Sequence, residues 1–153
     1  MLKTVLTAAA LLAATGAHAQ RADEFRVVGA SDNAAVMAST LITGPRNERR
    51  MVELLVPYER SDTGADAYHI ESVMDCTAGT LAIGDVKVYQ DDRVIAEVPR
   101  QEGNVSKPEP GSLAAQVLAY GCSGEADAGE AGKARLNGVP AAIAYGRSLH
   151  NKP

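Results

Sequence analysis

Short apolar runs alternate with polar turns through the first two thirds of the chain, and their period is close to two. Glu24 to Gly29 (EFRVVG) is short and rich in β-formers. Ala34 to Thr40 (AAVMAST) follows a Ser-Asp-Asn turn cluster, and Gly44-Pro45 breaks the chain after Leu41-Ile42. Arg49 to Val56 is the most apolar piece. Its content would allow a helix, but Gly-Pro before it and Pro57 after it leave room for about a strand's length. Tyr58 to Ala67 (YERSDTGADA) reads as a polar loop.

The next two segments read as a hairpin. Along Tyr68 to Cys76 (YHIESVMDC), Ile70, Ser72, Met74 and Cys76 share one face. His69, Glu71, Val73 and Asp75 share the other. Ala78-Gly79 supplies a tight turn, and Thr80 to Gln90 returns. Gly84-Asp85 interrupts the alternation of the returning strand and marks a candidate bulge. Asp91-Asp92 turns the chain again into Arg93 to Val98 (RVIAEV). This spacing predicts an antiparallel meander of about six strands.

After a proline-bearing loop, Pro99 to Gly111, the period changes. Ser112 is a good N-cap, and Leu113 to Gly121 (LAAQVLAYG) predicts a helix. Leu113, Val117 and Tyr120 form one stripe, with Ala114, Leu118 and Cys122 beside it. Gln116 is the polar residue within this run, so the helix is expected to press on the apolar face of the sheet. Residues 124–153 open on GEADAGEAGKA and read as an acidic, Gly/Ala-rich tail, flexible or peripheral to the core. The fold class expected is α+β: an antiparallel sheet with one C-terminal helix.

The N-terminus changes the picture by setting a compartment. Lys3, the apolar run Val5 to Ala14 and the Ala17-His18-Ala19 triplet read as a secretory signal over 1–19, cleaved between Ala19 and Gln20. The apolar run is shorter than a bilayer span needs. Cys76 is the first cysteine, so no lipid-modified N-terminus is expected after cleavage. A periplasmic or secreted protein follows, with a domain over 20–123. The whole chain carries 15 Lys+Arg and 19 Asp+Glu; without Lys3 the balance is 14 against 19, a net −5. That argues against a nucleic-acid footprint and against electrostatic docking on anionic lipid. With Phe25 the one phenylalanine and no tryptophan, the core must be built from Val, Leu, Ile, Ala, Met and a few Tyr.

Cys76 and Cys122 are the chain's two cysteines. In an oxidising compartment they are expected to form one structural disulfide; buried free thiols and a redox pair are the alternatives. Cys76 ends an inward strand row and Cys122 ends the helix stripe, so a bridge would fasten helix to sheet. Closing that loop is worth roughly 4 kcal/mol.

These segments resemble the surface-adhesin protein E-like domain of exported bacterial proteins. Phe25-Arg-Val-Val-Gly resembles its opening strand. Asp75-Cys76 resembles its strand ending in Asp/Asn-Cys, and Val88-Tyr89 with Arg93-Val94-Ile95 resembles its next hairpin. Pro110-Gly111-Ser112, Leu118 and Cys122 resemble its helix start and closing cysteine. The resemblance implies about six antiparallel strands with a disulfide-tethered helix on the concave face. The name-giving adhesin binds host matrix and serum proteins. This chain departs from the family in lacking the lipidation cysteine and the tryptophan and in adding the tail. No binding residue carries over, because the matching residues are structural.

Catalytic signals are sparse. No HExxH, G-x-S-x-G, P-loop or dinucleotide fingerprint occurs. His69, Glu71 and Asp75 share a strand face and form a weak metal or acid/base candidate, against the simpler reading of a solvated polar face. Asp62-Thr63-Gly64 reads as a turn. Arg46, Arg49 and Arg50 could meet an acidic partner or guard a strand edge. The expectation is a non-enzymatic exported interaction domain without catalytic, cofactor or metal residues, whose partner is an unidentified protein or envelope component. An assembly or inhibitor-type module is the alternative, and a small hydrolase or metal-binding protein comes after it.

Overall fold

The computed structural model describes residues 24–150. The signal segment and its Ala19/Gln20 cleavage site lie outside the described residues. Eight strands form one antiparallel sheet: β1 (Glu24–Ala30), β2 (Ala34–Ser39), β3 (Arg49–Pro57), β4 (Ala67–Asp75), β5 (Thr80–Gln90), β6 (Arg93–Val98), β7 (Val105–Ser106) and β8 (Leu136–Asn137). The spatial order is β6-β5-β4-β3-β2-β1-β8, with β7 pairing part of β5. The six expected strands are present. Two-residue β7 and β8 raise the count to eight. They escape a periodicity reading because a pair of residues has no period.

The bulge expected at Gly84-Asp85 is present. Ile70 pairs with Val86 and Ser72 with Ile83, so Gly84 and Asp85 together oppose Glu71. A glycine suits this point: a Cβ on Gly84 would lie 2.9 Å from the Glu71 carbonyl oxygen.

Helix α1 (Leu113–Ser123) begins as the sequence implies, with the Ser112 Oγ accepting from Ala115 N at 3.1 Å. It ends at Gly124, whose N–H donates to the Tyr120 carbonyl at 2.6 Å. Val117 and Tyr120 pack with Val28, Val36, Met51 and Met74. Cys76, directly after β4, and Cys122 are joined by a disulfide with Cα atoms 5.6 Å apart.

The expected tail over 124–153 is corrected by this architecture. Its described part carries a short 3-10 turn (Ala131–Lys133), strand β8 and a second helix, α2 (Val139–Leu149). Ala142 and Ile143 are buried with Phe25, Met37, Leu54 and Val56 on the sheet face opposite α1. The molecule is therefore three layers, α1 over the sheet over α2, and the single covered face expected from the sequence becomes two. Strand β2 explains why both faces can be covered. Ala35, Val36, Met37 and Ala38 are all buried, a continuous run of the kind found when a strand is covered on both sides.

The two helices are variations on one pattern. Leu118-Ala-Tyr-Gly-Cys-Ser123 in α1 matches Ile143-Ala-Tyr-Gly-Arg-Ser148 in α2. Each glycine is buried against the sheet. A Cβ on Gly121 would meet Met74 Sδ at 2.2 Å, and one on Gly146 would meet Met37 Cε at 2.5 Å and Val56 Cβ at 3.1 Å. The next residue holds each helix down: Cys122 through the disulfide and Arg147 through an ion pair to Asp66.

Candidate interaction surface

Asp66 is the hub of the second tether. It precedes β4, and its side chain is 3% exposed. It accepts from Arg147, from Arg60 Nε at 3.0 Å and from the Asp91 backbone N–H at 2.6 Å. Arg60 also donates to Asp91 at 2.8 Å. Burial alone would push the Asp66 carboxyl up. The Asp91 N–H, the Arg147 hydrogen bond and the charges of Arg147 and Arg60 outweigh it and hold the carboxyl below its usual range. This arrangement binds α2, the β3–β4 loop and the β5–β6 turn to one another.

Glu53 is the opposite case. It stands on central strand β3 on the α1 side and is 6% exposed. Its neighbours across the sheet are Ala38 and Ile70. Burial pushes its carboxyl up to about 7, only partly offset by the Ser72 hydroxyl, which donates to it at 2.8 Å. Neither carboxylate was singled out from the sequence. The signal for Glu53 was present: it is an acid at an inward position between Met51 and Leu55 in the most apolar strand.

The residues singled out from the sequence do not converge. His69, Glu71 and Asp75 lie on one strand, as expected, and each is engaged separately. His69 sits 6.2 Å from the Tyr89 ring, centroid to centroid. Glu71 is exposed. The Asp75 Oδ1 accepts from Thr77 N at 2.8 Å and Ala78 N at 2.9 Å, closing the turn after β4. Among the described residues no three His, Cys, Asp or Glu side chains come together as a metal site. Asp62-Thr63-Gly64 forms a turn, with Gly64 N donating to the Ser61 carbonyl at 2.7 Å. The arginine cluster is split. The Arg46 carbonyl accepts from Cys76 N, Arg50 pairs with Glu48, and Arg49 and Arg50 alternate across β3.

The surface that stands out is the part of the sheet the helices leave bare. Helix α2 packs on β1, β2, β3 and β8, and α1 lies mainly on β1 to β3. Beyond them, every residue of β6 is exposed. Ile83, Val94, Ile95, Val98 and Val105, on β5 to β7, are 37% to 57% exposed, and Leu41 is 64% exposed. Near Leu41 a cleft of about 160 Å³ opens, lined by Ser39, Thr43, Arg50, Val52, Glu71 and Val73 among others. Val52 and Val73 are half-buried at this cleft, and Arg50 and Glu71 bring opposite charges to it.

Comparison with known proteins finds no matching family model, no matching curated protein and no matching solved structure.

Proposed function

We propose that the chain is an exported, non-enzymatic interaction domain, akin to the surface-adhesin protein E-like domains it resembles, and that it holds a protein partner at the cleft beside Leu41. The observation that carries this reading is the cleft itself, with Leu41, 64% exposed, beside it and the half-buried Val52 and Val73 in its wall. Exposed apolar groups gathered in one region mark an interaction site more often than scattered ones do. The cleft has about the volume of an apolar cavity that takes up a benzene-sized group. A partner would insert one aliphatic or aromatic side chain there, between Arg50 and Glu71. The disulfide fits an oxidising compartment. No helix among the described residues is long and apolar enough to cross a membrane.

Photo-crosslinking tests this reading. A photoreactive residue at Leu41 or Val73, expressed in the exporting cell, should give one discrete adduct that Val52→Asp removes. The same adducts from a control position at Asp127, or none from Leu41 and Val73, would overturn it.

A further inference from the structure

We infer that β6 is a self-association edge, on which a second copy of this chain pairs its own β6 antiparallel and continues the sheet. This goes beyond the cleft and uses a different element.

The two edges of the sheet are treated differently. At one, β1 is covered by β8, and Arg135 pairs with Glu24 at 2.7 Å. The other ends at β6. An open edge presents a row of N–H and C=O groups without a strand partner, a template on which another extended backbone can pair.

Which groups face outward follows from the hairpin. Asp91 and Asp92 both have positive φ (46° and 62°), a two-residue turn of type I′. Gln90 and Arg93, which flank it, form the hydrogen-bonded pair, so in the next pair, Tyr89 and Val94, the peptide groups point away from each other. The Tyr89 carbonyl accordingly accepts from Asp66 N on the β4 side. Val94 therefore faces the open edge. Past it the register slips: Val88 pairs with Ala96, leaving Ile95 as an extra residue. The next outward residue is Glu97, opposite Lys87. Outward groups thus stand three residues apart instead of two.

A regular strand cannot match that spacing. The same strand in a second copy can. With Val94 opposite Glu97 of the second copy, both outward positions are paired twice about a two-fold axis. Val94 and Glu97 project from one face of the sheet, because Tyr89 and Lys87 do. Arg93 and Val98, opposite each other in this register, project from the other. All six residues of β6 are used. The arrangement covers Val94, Ile95 and Val98, the exposed large hydrophobics of the strand. It also brings the Asp91-Asp92 turn of each copy to Arg100 of the other, and Asp92 and Arg100 are exposed. The bulge therefore repels ordinary strands and admits its own likeness.

Sedimentation velocity over a concentration series of the mature chain should show a monomer–dimer equilibrium. Val94→Lys and Glu97→Pro should each abolish the dimer; the proline removes an outward N–H and leaves the β5–β6 ladder intact. Asp92→Arg and Arg100→Asp should each weaken association about two- to fivefold, and the double exchange should restore it. On oxidation, a mixture of Val94→Cys and Glu97→Cys chains should crosslink, and Val94→Cys alone should not. A monomer throughout the series, or a dimer that survives Val94→Lys and Glu97→Pro and fails to crosslink in the mixture, would overturn the inference.

Discussion

Helices α1 and α2 share a pattern, Leu/Ile-Ala-Tyr-Gly-x-Ser, and a way of packing, with a buried glycine on a methionine of the sheet. They differ in the residue after the glycine. Cys122 ties α1 to the end of β4 covalently, whereas Arg147 ties α2 to Asp66 by charge. One clamp answers to reductant and the other to pH. The buried carboxylates sharpen the contrast. Asp66, beneath α2's tether, is surrounded by donors and stays ionised. Glu53, on the α1 side, has one hydroxyl and no cation acting on it. The two clamps anchor at opposite ends of β4, Asp66 just before the strand and Cys76 just after it, and hold one helix on each face of the sheet.

The largest effect expected from breaking the comparison is on the covalent side. Replacing both cysteines with alanine should cost about 4 kcal/mol in denaturant unfolding, because the disulfide closes a 46-residue separation. A loss below about 1 kcal/mol would show that α1 is held by packing alone.

Next comes pH, where the two faces should respond with opposite signs. The Glu53 carboxyl has an ordinary value of 4.5 and one of about 7 in the folded chain. Its burial therefore costs nothing below about pH 4.5, and stability is lost as pH rises through 7, by about 3 kcal/mol in all. Glu53→Gln should remove that slope and keep an acceptor for Ser72. A wild-type curve flat between pH 5 and 8 after the other carboxylates have ionised would contradict the burial of a lone carboxyl.

Asp66 carries the converse trend. Its value is lowered, so its contribution is present at neutral pH and is lost as pH falls through the depressed folded value. Asp66→Asn should cost about 2 kcal/mol at neutral pH. That is less than a fully buried pair would lose, because the Arg60 and Arg147 side chains keep 46% and 35% of their exposure and can be resolvated. Thermal melts of Asp66→Asn and wild type should converge in acid; a constant gap would place the effect elsewhere.

The smallest expected difference lies in the glycines. Gly121→Ala crowds the far end of the Met74 side chain, which can swing, and the gain in helix propensity offsets the cost to within about 1 kcal/mol. Gly146→Ala also meets Val56 Cβ and Cγ1 at 3.1 Å, atoms fixed to the strand, and should cost about 1–2 kcal/mol. Equal melting shifts for the two variants would remove this distinction.

Alternation carried the sequence reading a long way. The six longer strands, the Gly84-Asp85 bulge, the Ser112 cap and the disulfide partners of α1 were all legible, because each rests on local pattern or a rare residue. Helix α2 was not. Val139-Pro-Ala-Ala-Ile-Ala-Tyr-Gly carries two residues that normally break helices. Pro140 sits in the first turn, where no N–H is needed, and Gly146 sits where a side chain would strike Val56. Its match to the α1 hexapeptide was the available signal. The Asp66 tether joins residues 81 positions apart, and no local period encodes that. The shared face of His69, Glu71 and Asp75 was read correctly, but adjacency along a strand did not bring their side chains to one point.

Hydrogen exchange on the mature chain, with and without reductant at neutral pH, tests the two-clamp account most directly. Reduction should raise exchange across Leu113–Ser123, while Val139–Leu149 keeps its protection. Equal loosening of both helices, or of neither, would contradict it.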